Sequence, residues 1–111
     1  MKIESQKYHD VMVIQLQGEF TGDVLKSLEM ETSNAFAAKV GGIVLDMNKV
    51  SFIDSKALEF LMDLGEKCRE NTRQLKIAGL DETCTKILEL TRLLPQFDTY
   101  AELTEAVKSF A

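Results

Sequence analysis

Between two stretches of helical periodicity the chain runs through Ile43-Val44-Leu45-Asp46-Met47, apolar but for one carboxylate. A strand with one wet face alternates apolar and polar residues, whereas a continuous apolar run fits a strand covered on both faces. Such strands belong to sheets whose parallel neighbours are joined by packed helices. The flanking sequence agrees. Met12, Ile14 and Leu16 alternate with Val13, Gln15 and Gln17, a half-buried strand closed by Gly18. His9-Asp10 before it offers a turn back from a first strand over residues 2–8. Over residues 23–39, Val24, Leu25, Leu28, Ala35, Phe36 and Ala38 share one helical face, and Gly41-Gly42 provides a stop.

After the apolar run, residues 48–55 read as an irregular segment. Ala57, Leu58, Leu61, Leu64, Gly65 and Cys68 then return to helical spacing, followed by a strand at Leu75-Lys76-Ile77-Ala78-Gly79. Asp81 is placed to cap a helix carrying Ile87, Leu88 and Leu94. Phe97-Asp98-Thr99-Tyr100 reads as a last short strand. Thr99 and Glu102 fit a capping box for a final helix with Leu103, Ala106, Val107 and Phe110 on its face. The order is ββαβαβα(β)α over one domain spanning residues 1–111. That is an α/β fold: a mostly parallel sheet of four or five strands, an antiparallel N-terminal strand and about four helices. Function in such sheets gathers where parallel strands end and helices begin.

Composition narrows the partners. Thirteen basic against eighteen acidic side chains leave a net charge of −5, which repels nucleic-acid phosphates and anionic membranes alike. No run approaches the ~18 apolar residues of a membrane span, and the start has no signal-peptide core, so the expected location is cytoplasmic. Cys68 and Cys84 stand in no metal-ligand spacing. The segment that points to chemistry is Asp54-Ser55, where the irregular stretch meets a helix beginning near Lys56. A helix N-terminus leaves backbone N–H groups unpaired and carries the positive end of the dipole. A serine there can cap the helix with its hydroxyl, or carry a phosphoryl group that the same N–H groups stabilise.

The stretch from Gly42 to Leu58, with Leu45-Asp46, Phe52-Ile53 and Asp54-Ser55 in order, resembles the signature of the STAS domain family. Leu16-Gln17-Gly18-Glu19-Phe20 is similar to the family's second strand and its glycine-containing exit, and Gly79-Leu80 and the terminal helix follow in the family's order. For a chain of this length the resemblance implies an anti-sigma factor antagonist. Unphosphorylated, such a protein sequesters an anti-sigma factor and so regulates sigma-factor-dependent transcription. The anti-sigma factor is often a serine kinase that holds ATP and Mg itself, and a phosphatase resets the switch. The resemblance makes Ser55 the phosphoacceptor and implies a partner surface around Asp23, Asp54, Ser55, Lys56, Glu59 and Phe60, with no catalytic residue, metal or cofactor of the chain's own. An alternative implication is a non-switching STAS scaffold subunit in a signalling or lipid-transport complex.

The sequence also departs from the pattern. Lys56 and Ala57 stand where the family carries a small residue and a glycine. Thr21 stands where many members carry an aspartate, which leaves Asp23 two residues on. Ala57 would set a methyl against an approaching partner. Phe60 would be an exposed aromatic anchor, or would pack under a neighbouring element. Other chemistry has weaker support. A hydrolase built from Ser55, His9 and Asp46 lacks a G-x-S-x-G elbow. Gly41-Gly42 is too short for a phosphate cradle. Cys84, near a helix start, would be a candidate for a lowered thiol pKa.

Overall fold

The computed structural model describes residues 1–110; Ala111 lies outside them. β1 (Lys2–Tyr8) and β2 (Val11–Phe20) form a hairpin turning at His9-Asp10, with His9 in the left-handed region at φ 53°. A 3-10 turn (Gly22–Val24) leads into α1 (Leu25–Ala37), and β3 (Gly42–Ile53), α2 (Ser55–Glu70), β4 (Gln74–Ala78) and α3 (Glu82–Leu90) follow. A second 3-10 turn (Leu94–Gln96), β5 (Asp98–Tyr100) and α4 (Leu103–Lys108) complete the chain. The strands lie in sequence order, β1 antiparallel to β2 and the rest parallel, which is the expected α/β architecture.

Helices α1, α2 and α3 cover one face of the sheet. Leu28, Leu61, Leu64 and Leu88 meet Ile14, Leu16, Ile43 and Leu45 there, each such side chain contributing about 1.5–3 kcal/mol through its burial. The short α4 covers part of the other face, where Ala106 packs on Val11, Val13, Val44 and Ala78. That face also encloses Lys76, 4% exposed. Its Nζ meets Ser109 Oγ at 2.5 Å and lies 4.3 Å from the Phe110 ring centre.

Several sequence expectations are corrected. Residues 48–53 are strand, because β3 continues alongside β2 through two register shifts that each place an extra residue on β3. A bulge resets which residues point inward, so Met47, Val50 and Ile53 are buried at a spacing of three that no regular strand shows. Asp46, 5% exposed and in mid-strand, holds the first shift: its Oδ1 accepts from Asn48 N at 3.1 Å. The helix expected from Asp23 opens as the 3-10 turn, and α1 ends before the glycines, with Lys39 taking the left-handed conformation at φ 57°. Gly42 instead makes room for the Phe110 ring. Thr99 lies in β5, and Glu102 at the start of α4 makes no side-chain cap, so the capping box does not form. Asp81 does cap α3.

Candidate functional site

β3 ends at Ile53 and α2 begins two residues later, so one residue makes the junction. Asp54 is extended (φ −92°, ψ 177°) and donates its own N–H to Phe20 O at 3.0 Å. Its Oδ1 accepts from Ala57 N at 2.8 Å, the N-cap bond of α2, and its Oδ2 accepts from Gly22 N at 3.0 Å. The carboxylate thus clasps the exit of β2 to the start of α2. The Ala57 N–H is the main reason its pKa lies below the ordinary 3.8; partial burial opposes the shift, and the Gly22 and Lys56 N–H groups and the Lys56 charge add to it.

Because Asp54 is the cap, Ser55 is not, which corrects the capping alternative for that hydroxyl. Ser55 is the first helical residue, exposed, and its hydroxyl has no hydrogen-bond partner among the described residues. The first turn of α2 contains no acidic side chain. Positive helix-end potential and a free hydroxyl therefore coincide at one exposed position.

The stem of Lys56 lies over Gly22; a Cβ on that glycine would stand 2.8 Å from Lys56 Cδ. Lys56, Glu59, Phe60 and Asp63 of α2 face Leu25 and Glu29 of α1 across a groove of about 400 Å³. Phe60 lines it half-buried and edge-on to Phe20 with ring centres 6.5 Å apart, so it is a packed residue and not a free anchor. Asp23 is exposed in the Gly22 turn and does not line the groove. The structure therefore gathers Asp54, Ser55, Lys56, Glu59 and Phe60 at one end of α2, with Asp23 next to Gly22, whose N–H the Asp54 carboxylate binds.

The sequence profile of the STAS domain family matches residues 2–106. The chain belongs to that family. Its fold is shared by a candidate anti-sigma factor antagonist from Thermotoga maritima, 17% identical, with a TM-score of 0.88 over 96% of this chain and 92% of that one. The phosphorylated form of SpoIIAA, the Bacillus cell fate determinant, is 19% identical with a TM-score of 0.77 over 99% of this chain and 100% of that one. A sulfate transporter family protein from Wolinella succinogenes is 16% identical, with a TM-score of 0.82 over 92% and 85%.

Within this STAS domain, Ala57 is fully buried, so its methyl lies in the core and offers no obstacle to a partner. Three residues of the region carried no site expectation. Gly22 is the second partner of Asp54, Leu25 is the α1 wall of the groove, and Phe52, 43% exposed, stands two residues before the junction. An aromatic at the outward phase of a strand was the signal available for Phe52; Gly22 showed none. His9 sits at the opposite end of the sheet from Ser55, roughly 30 Å away along β2 at ~3.3 Å per residue, and Asp46 is in mid-strand, so no Ser–His–Asp arrangement exists. Burial pushes the Cys68 thiol up to about 11 and the Cys84 thiol up to about 12, the reverse of a helix-start activation. Among the described residues no three His, Cys, Asp or Glu side chains converge as a metal site, and no helix is long and apolar enough to cross a membrane.

Proposed function

We propose that this STAS protein is an anti-sigma factor antagonist, a cytoplasmic binding module without a reaction of its own, switched by phosphorylation of Ser55. The observation that carries the reading is the division of labour at the α2 junction: Asp54 caps and clasps, leaving the Ser55 hydroxyl exposed and unbonded beside the α1–α2 groove. The unphosphorylated face, with Asp54, Ser55, Lys56, Glu59, Phe60 and neighbouring Asp23, binds an anti-sigma factor that is itself a serine kinase holding ATP and Mg. Phosphorylation adds about −1.5 to −2 charges at pH 7. The helix end and Lys56 offset that charge within the domain, while a partner surface fitted to a neutral hydroxyl meets an uncompensated anion. A loss of ~3 kcal/mol weakens the complex more than a hundredfold, with no refolding needed. A phosphatase returns the serine to its binding form.

The test is to incubate the protein with ATP, Mg and an anti-sigma serine kinase from the same genome, and to locate phosphate by fragment mass. One phosphate on Ser55, absent from Ser55→Ala, is the expected result; no modification, or phosphate elsewhere only, contradicts the switch. The likeness to a transporter-family protein favours a second reading, a non-switching scaffold subunit in a signalling or lipid-transport complex. Binding to such a complex that is indifferent to Ser55→Asp would select it.

A further inference from the structure

At the other end of α2 from Ser55, a depression of about 250 Å³ lies between that helix, the start of β4 and the approach to β5. Arg69 and Arg73 both line it. In a chain of net charge −5, two guanidiniums in one pocket need a reason. The negative end of the α2 dipole accounts for a cation in the last turn, where Arg69 stands. It does not account for how the two are left. Among the described residues neither has a carboxylate at ion-pair distance, the ion pairs being Lys2–Glu4 and Lys76–Asp98. Asp98, the one acid lining the pocket, is already engaged: it faces Lys76 Nζ at 3.7 Å and accepts from the Tyr100 hydroxyl at 3.2 Å.

Arg73 is the more telling of the two. Its Nη1 donates to the Asn71 carbonyl at 2.8 Å. Its Nε–H is enclosed and has no acceptor, a condition native proteins rarely leave unmet. The enclosed Nε is not presented to the pocket, but Nη2 makes no hydrogen bond among the described residues, so the guanidinium keeps its charge and N–H groups for a ligand. Beside it, Leu75 and the half-buried Phe97 supply an apolar wall.

We propose that this pocket binds a small phosphate monoester. The phosphate lies between the guanidiniums of Arg69 and Arg73, and the carbon skeleton lies against Phe97 and Leu75. Two guanidiniums match a doubly charged oxyanion better than a carboxylate, and the volume leaves space beyond one phosphate. The site is independent of the Ser55 reading.

The test is an NMR titration of the full-length labelled protein that follows backbone amides and the arginine Nε–Hε signals. Phenyl phosphate, inorganic phosphate and sodium chloride are compared at matched ionic strength. The expected result is a saturable shift of the Arg73 Nε–Hε and Gln74 amide signals with phenyl phosphate, with affinity at least tenfold weaker in both Arg73→Gln and Arg69→Gln. Inorganic phosphate should move the same signals with lower affinity. Exposed Arg69 supplies a usable variant even where the turn at Arg73 tolerates no replacement. A linear drift no larger than that with chloride, or unchanged affinity in the arginine variants, overturns the site. Equal affinity for the bare anion and the monoester overturns the apolar half of the assignment.

Discussion

β3 feeds α2 and β4 feeds α3, and the two junctions begin alike. Each helix is capped by an aspartate, Asp54 or Asp81, whose carboxylate accepts the N–H three residues on, at 2.8 and 2.7 Å. Beyond the cap they part. At α3 the first helical residue is Glu82, so the sequence itself supplies the anion the dipole favours. At α2 it is Ser55, followed by Lys56 and no acid in the first turn. The α3 junction also has a backbone requirement, since Gly79 sits at φ 76° with a would-be Cβ 2.9 Å from Asn48 Cβ and 3.0 Å from the Asn48 backbone. The α2 junction has none of that kind and relies on the Asp54 clasp. One junction is completed by its sequence; the other is left one negative charge short, at an exposed hydroxyl.

The largest expected effect separates the first residues of the two helices. Ser55→Asp should weaken binding to the anti-sigma partner more than tenfold by calorimetry, whereas Glu82→Gln should leave it unchanged; equal losses would erase the distinction. Next comes the backbone of the α3 junction. Gly79→Ala should cost about 1–3 kcal/mol in urea unfolding, through the left-handed conformation and the contact with Asn48.

Third, Asp54→Ala should destabilise by about 2 kcal/mol against about 1 for Asp81→Ala, because Asp54 has a second bond, to Gly22. Identical costs would mean that the clasp adds nothing. The smallest effects concern charge. Ser55→Glu should raise stability by a few tenths of a kcal/mol and Glu82→Ser lower it by as much, measured at low salt. The pH dependence has a definite sign. The Asp54 pKa is lowered by folding, so its contribution is present above about 3.8 and is lost as pH falls through the lower folded value. Asp54→Asn, which keeps a capping oxygen, should flatten the acid limb of the stability curve.

What was legible in the sequence divides along a physical line. Local signals were readable: the His9-Asp10 hairpin, the Asp81 cap, the apolar run of β3 and the face of α2 follow from short-range periodicity and capping chemistry. Of the expected α3 face, only Ile87 and Leu88 lie in that helix; Leu94 falls in the second 3-10 turn, and Cys84 takes a buried place instead. Features set by contacts distant in sequence were not. The bulges that carry β3 to Ile53 arise from pairing with β2 and make the buried spacing look irregular. Asp54 and Ser55 are both good N-caps, and the choice between them follows from Gly22, thirty-two residues earlier, fixing the carboxylate. Gly41-Gly42 read as a helix stop because glycine often is one; here Gly42 accommodates Phe110 from the far end of the chain. At the candidate site, the nearness of Asp54, Ser55, Lys56, Glu59 and Phe60 was legible because they share the first turns of one helix, whereas Asp23 does not line the groove. The half-burial of Phe60 against Phe20 and the place of Ala57 in the core needed the fold.

The most direct test is calorimetric titration of the anti-sigma factor with two forms of the full-length protein, one unmodified and one with phosphoserine installed quantitatively at position 55. A fall in affinity of more than a hundredfold, with the unfolding temperature of the free protein nearly unchanged, is the expected result. Equal affinity for the two forms would contradict the switch at Ser55.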